Sequence, residues 1–198
     1  MLKSNYELLE FKYYFITLQY KQKDKHMASI EHFPRVNENG EVIGKVTRTE
    51  CHSGSFILHP VVHLHVFNTK GELYLQKRAL NKDIQPGKWD TSVGGHVDYG
   101  EETELALKRE VWEELGIIDF EPKFIKRYKF VSLQEAELVH SYYCIYDGLI
   151  KPDPIEISEG KFWNIKDIDA QLGKNVFTPN FEQEWTTIVR ENRPTIIQ

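Results

Sequence analysis

The period of the apolar pattern changes along the chain, and the changes mark its elements. HPVVHLHVFNTKGELYLQKR, residues 59–78, contains two runs of strand character joined by a turn over residues 68–71. Upstream, RVNENGEVIGKV carries Asn39-Gly40, a two-residue hairpin signal between short strands. Further on, KFIKRYKFVSL and ELVHSYYCIYDGLI read as a second pair of strands, and a short strand follows over residues 161–164. The period shifts to that of a helix over residues 102–115, where Leu105, Val111, Trp112 and Leu115 provide a face to bury and Gly116 occupies the C-cap position. A short helix is expected over residues 166–172. A last one starts at Thr178-Pro179, an N-cap and N1 pair, and carries Phe181, Trp185 and Ile188 as its apolar stripe. Strands alternating irregularly with a few helices imply an α+β fold: a mixed sheet with helices on its faces, in one domain.

Composition narrows the class. Of 198 residues, 40% are hydrophobic and 28% charged, the balance of an ordinary globular protein. A net charge of −5 gives no footprint for nucleic acid and repels an anionic membrane. Two cysteines, Cys51 and Cys144, make neither a disulfide framework nor a zinc signature, which fits a reducing, cytoplasmic setting. The first 26 residues are rich in aromatics and lysine and lack a cleavage site for a signal peptide. Met27 then opens MASIEHFP, so residues 1–26 are expected to be an extension that arises from the choice of start site, ahead of a single domain over residues 27–198.

The chemistry concentrates in GGHVDYGEETELALKREVWEELGI, residues 94–117. Helical spacing sets Glu110, Glu113 and Glu114 on one face, where like charges cost a few tenths of a kcal/mol per pair unless something offsets them. A divalent cation with a preference for oxygen ligands is the natural offset. Arg109 reaches Glu113 at i+4 and orients its carboxylate. Gly94-Gly95 let the backbone come close to an ion.

The full spacing, Gly95, Glu101, Arg109-Glu110-Val111, Glu113-Glu114 and Gly116-Ile117, resembles the Nudix box at every constrained position. The resemblance implies a Nudix-like α/β/α sandwich and a hydrolase that cleaves a diphosphate linked to another moiety X, often a nucleoside, with Mg²⁺ or Mn²⁺. Carried over by position, Glu110, Glu113, Glu114 and the Gly95 carbonyl would hold the metal. Arg109 would orient a carboxylate, and Glu101 and Gly116 would support the loop and the helix. Glu156 and Glu159 are candidates for a base outside the box. A homodimer is compatible with the family.

The flanks are similar to type 1 isopentenyl-diphosphate isomerase. His52, His59 and His96 match that family's histidine ligands, which raises a second metal or a cleft wall as their role. The isomerase cysteine falls at Gly94, which has no proton to exchange with carbon. The isomerase's later acidic pair aligns loosely near His140 and Tyr142. His59, His63 and His65 share one strand face, and hydrogen-bonded core histidines are the plainer reading of the last two. Arg78 is expected to meet substrate phosphates through its forked donors. Trp89 is expected to stack on X or to pack its loop, and His96 to touch substrate. Three functions therefore stay open: a metal-dependent diphosphate hydrolase, an isomerase-like activity, and a Nudix-fold nucleotide sensor without catalysis.

Overall fold

The computed structural model describes residues 30–82 and 84–194; the expected extension over residues 1–26 lies outside them. A hairpin of β1 (His32–Val36) and β2 (Val42–Thr47) opens the domain. Asn37 closes its loop, its side chain accepting from the Asn39 and Glu41 backbones. Thr47 then caps a single turn of helix, α1 (Arg48–Cys51), through a reciprocal capping box with Glu50. The alternation upstream of residue 58 gave no sign of this turn, yet it delivers His52 to the site.

The main sheet has seven strands. β3 (Leu58–Phe67) is its axis, and β8 (Ala136–Ile145) lies parallel to it along its full length, from Leu58 opposite Ala136 to Phe67 opposite Ile145. β7 (Lys123–Val131) pairs antiparallel with β8 as its pattern implied. β4 (Leu73–Arg78) meets β3 only at the turn, Phe67 opposite Leu73. It then diverges to pair with β5 (Trp89–Asp90) and with β9 (Ile157–Trp163), which starts earlier than expected. The vacated edge of β3 is taken by β6 (Val93–His96), so His63 lies opposite Gly94 and Val62 opposite Gly95. That exchange of partners brings the glycine pair to the centre of the sheet.

Period two along β3 sorts the two layers. Val62, Leu64 and Val66 pack against α2 (Thr103–Leu115), which buries Ala106, Leu107, Val111 and Leu115. Leu105 is 39% exposed, so the buried face is rotated from the expected one. Gly116 ends α2 in the left-handed conformation, φ 66°, with its N–H donating to Trp112. On the opposite face, Phe67, Leu73 and Leu75 pack with Ile168 of α3 (Ile165–Gln171), Phe181 of α4 (Pro179–Glu184), and Trp185 and Val189 of the π-helical turn (Trp185–Val189) that continues it. Thr178 caps α4 by accepting from the Phe181 N–H, with Pro179 at its first position. A mixed sheet with helices on both faces is the expected sandwich. Among the described residues, no helix is long and apolar enough to cross a membrane.

Candidate active site

Arg109 organises the glutamate helix. It is buried on α2 and donates to Glu101 Oε1 and Oε2 at 3.0 and 2.8 Å, to Glu110 Oε1 at 2.6 Å and to Glu113 Oε2 at 3.3 Å. A further N–H reaches the His96 carbonyl at 2.9 Å, which ties the helix to the end of β6. Burial opposes the guanidinium's charge, but the surrounding carboxylates outweigh it and hold the group firmly protonated. Glu101 also accepts the Asp98 N–H, so it braces loop and helix together.

Glu114 is not among the partners of Arg109. It accepts from Gln76 Nε2 at 2.9 Å and from the Gly94 backbone. Glu110 lies against the Gly95 α-carbon so closely that any Cβ there would overlap its carboxylate, so residue 95 has to be glycine. Burial pushes the Glu110 carboxyl up to about 7 and the Glu114 carboxyl up to about 8, and Glu114 is raised further by the charge of Glu110. Half-buried, mutually repelling oxygen donors beside an open backbone suit a hard divalent cation.

The sign of these shifts gives a test. A carboxyl whose folded pKa is raised above its unfolded value costs stability progressively as pH climbs to the folded value. A cation bound there offsets that cost. Mg²⁺ should therefore raise the thermal midpoint more near pH 8 than near pH 6, the window bounded by the Glu110 and Glu114 shifts. Equal shifts at both pH values in a melting experiment would contradict the assignment.

A second donor set stands beside the first. Nitrogens of His52, His59 and His96 and an oxygen of Glu135 all lie within 4.8 Å of one another. Among the described residues this is the group of such donors that lies that close together; on α2, Glu110 and Glu113 are engaged by Arg109, and Glu114 by Gln76 and the Gly94 backbone. His52 Nε2 lies 3.3 Å from His96 Nε2 and 3.1 Å from Glu135 Oε2. His59 Nδ1 is spent on the Ile57 carbonyl at 2.9 Å, which leaves His59 Nε2 buried without a hydrogen-bond partner, 3.9 Å from Glu135 Oε2. Burial lowers the His59 and His96 pKa values and keeps both rings neutral, the state that ligates metal. An orphaned His59 nitrogen, neutral imidazoles and a carboxylate within 4.8 Å of one another fit a cation held by nitrogen and carboxylate. His96 is accordingly a member of this set, stacked on Phe33 at 4.3 Å, more than a free contact for substrate.

Glu135 was not singled out by spacing, although Glu135-Ala136-Glu137 at the start of β8 holds the signal. Two carboxylates two residues apart in a strand share a face. The loose alignment near His140 and Tyr142 is corrected by the same rule: Tyr142 points into the α2-side core, on the other face of β8.

A cavity of about 670 Å³ adjoins the histidine set, lined by His52, Gly94, Gly95, His96 and Glu135 and also by His63, Asp90, Glu137 and Asn180; Glu110, Glu113 and Glu114 are not among its lining residues. Arg78 lines it too, held by the Ile84 carbonyl at 3.0 Å and Asp90 at 3.3 Å. Trp89 is not among the lining residues. It is buried, set edge-on to Trp163 at 5.1 Å in the core beneath α4, so of the two roles considered it takes packing. Glu156 pairs with Lys82 and Glu159 with Lys77, and neither lines the cavity. Cys51 and Cys144 are buried, with thiols pushed up to about 12 by burial, and neither reaches the cavity.

The NUDIX domain family matches residues 57–181. Isopentenyl-diphosphate Delta-isomerase 1 of Photorhabdus laumondii is 34% identical over 172 residues, covering 82% of this chain and 97% of the relative. The Nudix hydrolase lmo0368 of Listeria monocytogenes is 33% identical, covering 77% and 90%. Among solved structures, DR0079 of Deinococcus radiodurans superposes with a TM-score of 0.68 at 25% identity, covering 77% of this chain and 96% of that one. A MutT protein of Methanosarcina mazei gives 0.59 at 26%, covering 69% and 96%. The family match over most of the folded core, and a relative one third identical along nearly its whole length, establish that the chain belongs to the Nudix family and is a Nudix-type hydrolase.

Proposed function

We propose that this protein hydrolyses an X-linked diphosphate, such as a nucleoside diphosphate derivative, by water attack at phosphorus. The observation that carries the choice over isomerisation is the absence of a thiol from the cavity. The chain has two cysteines, both buried away from it, and residue 94 beside the cation-holding glutamates is glycine. Proton exchange at carbon therefore lacks the group that the isomerase resemblance requires there, whereas the glutamate helix that diphosphate hydrolysis needs is complete.

Glu110, Glu113, Glu114 and the Gly95 backbone would hold Mg²⁺ or Mn²⁺. A divalent cation so held lowers the pKa of a bound water and neutralises phosphoryl charge. Arg109 fixes the orientation of Glu110 and Glu113, Glu101 locks Arg109, and Gln76 with the Gly94 N–H positions Glu114. A carboxylate of this set takes the proton of the attacking water. Arg78 presents fixed donors to the phosphate oxygens. The His52, His59, His96 and Glu135 set would hold a second cation.

That second set, together with a 34% identical relative named as an isomerase, favours an isomerase-like activity as the other reading. One panel separates the two. The protein is incubated with Mg²⁺ and nucleoside di- and triphosphates, nucleotide sugars and isoprenoid diphosphates, and products are resolved by phosphorus and proton NMR. Release of phosphate or a phosphomonoester is expected. Migration of a double bond in an isoprenoid diphosphate without phosphate release would replace the hydrolase reading, and tight binding without turnover of any member would favour a sensor.

A further inference from the structure

The first turn of α4 contributes Thr178, Pro179, Asn180 and Gln183 to the wall of the cavity. Helical spacing explains the set. Asn180, Gln183 and Glu184 stand at i, i+3 and i+4 on one face, whereas Phe181 and Trp185 go into the core. The polar face is stitched to the sheet at three points. The Thr178 hydroxyl donates to Asp90 at 2.7 Å, the Asn180 amide donates to Glu137 at 3.1 Å, and Glu184 accepts from His63 Nδ1 at 2.7 Å.

The carboxamides of this wall keep unused hydrogen-bonding capacity. A carboxamide offers two N–H donors and two lone pairs. Asn180 uses one N–H on Glu137 and one lone pair on the Tyr128 hydroxyl of β7, 3.2 Å away. Those contacts orient the amide and leave one donor and one acceptor over. Gln183 is exposed; its backbone carbonyl accepts from Thr186 and Thr187, and among the described residues no group bonds its side chain. The acids nearby are engaged: Asp90 accepts from Arg78 and Thr178, and Glu137 from Asn180. Val61, Ile84 and Phe130 supply apolar wall. Apolar surface with a few convergent polar groups is the build of a small-molecule site.

We propose that Asn180 and Gln183 select X, taking a hydroxyl- or amide-bearing group, as a sugar or a nucleoside presents, in preference to an apolar chain. The inference rests on the diphosphate-hydrolase reading and names the residues that choose among its substrates. X falls in this cavity because His52, His96 and Glu135 of the second donor set line it. A cation held by that set neutralises phosphoryl charge, and the rest of the substrate extends into the same space. An uncharged carboxamide reads donor and acceptor positions side by side. An apolar chain laid against Asn180 would cover its remaining N–H and lone pair without replacing the water they bind, which costs affinity. A hydroxyl or an amide replaces that water.

The test measures binding. ADP, ribose 5-diphosphate, isopentenyl diphosphate and inorganic pyrophosphate are titrated calorimetrically into wild type, Asn180→Leu and Gln183→Met, with Ca²⁺ in place of Mg²⁺ to hold back turnover. Leucine is close to asparagine in size and methionine keeps the length of glutamine, so each change removes hydrogen bonding and little else. Wild type should bind ADP or ribose 5-diphosphate about tenfold or more tighter than isopentenyl diphosphate. Each variant should weaken the preferred ligand about fivefold or more and leave pyrophosphate, which carries no X, within about twofold. ADP against ribose 5-diphosphate, which lacks the base, tells whether base or sugar is the group read. Should Asn180→Leu fail to fold because Glu137 and Tyr128 lose a partner, Gln183→Met decides alone. A wild type without the preference overturns the assignment. So does a variant that keeps wild-type affinity for every ligand, or one that loses pyrophosphate equally, which would mean a general disturbance of the site. Selective binding that the variants lose, in a protein that releases no phosphate or phosphomonoester in the substrate panel, sinks the hydrolase reading alone. Turnover in the panel with variants that bind like wild type sinks the selection alone.

Discussion

Arg109→Met should destabilise the fold by about 3–5 kcal/mol, the range for removing one member of a buried ion cluster and stranding the rest. Methionine keeps the length of the side chain and its packing, so the loss reports charge and hydrogen bonding. Arg109 satisfies Glu101, Glu110 and Glu113 and holds the His96 carbonyl. The deficit should grow with pH. Glu110, pushed up to about 7 even with Arg109 present, can take a proton in acid and shed part of the stranded charge, but not in base. Urea unfolding at two pH values on either side of neutrality measures both features. A loss under about 1 kcal/mol, or one that shrinks as pH rises, would mean that the carboxylates find other partners.

The second large effect is on rate. Glu114→Gln should lower kcat by a factor on the order of 10²–10³, the scale for deleting one preorganised electrostatic element. Its value lies in the contrast with stability. The amide is isosteric, keeps an acceptor for Gln76 or the Gly94 N–H, and removes a buried charge whose pKa is pushed up to about 8. Without added cation the variant should therefore match wild type in stability to within about 1 kcal/mol, and Mg²⁺ should raise its melting midpoint less. A variant that loses activity and cation-free stability together would recast Glu114 as a structural acid. Full activity would remove it from the site.

Local chemistry made much of this legible in the sequence. Glu110, Glu113 and Glu114 share a helical face because of their spacing alone, and Arg109 is tied to Glu113 by the same geometry. The turn at Asn68–Gly71, the Thr178-Pro179 cap and the Gly116 stop are each fixed by residues within a few positions of one another. Even the two layers followed from alternation along β3. The burial of Leu107 in place of Leu105 marks the limit of that kind of reasoning, since a helix can rotate on its sheet without any change in period.

What only the tertiary structure decided is which distant groups share a charge. Glu135 joins His52, His59 and His96 because β8 runs parallel to β3, a pairing that no short-range pattern encodes. Glu184 reaches His63 across 121 residues because α4 packs on the sheet face opposite α2. Trp89 is kept out of the cavity because β5 turns it into the core beneath α4. The physical reason is common to all three. Periodicity determines which face a side chain takes, whereas burial and sheet register determine what it meets there, and the chemistry of a buried ionisable group is set by what it meets. The sequence therefore determined the glutamate helix and the family it belongs to, and the fold decided the histidine set and the cavity beside it.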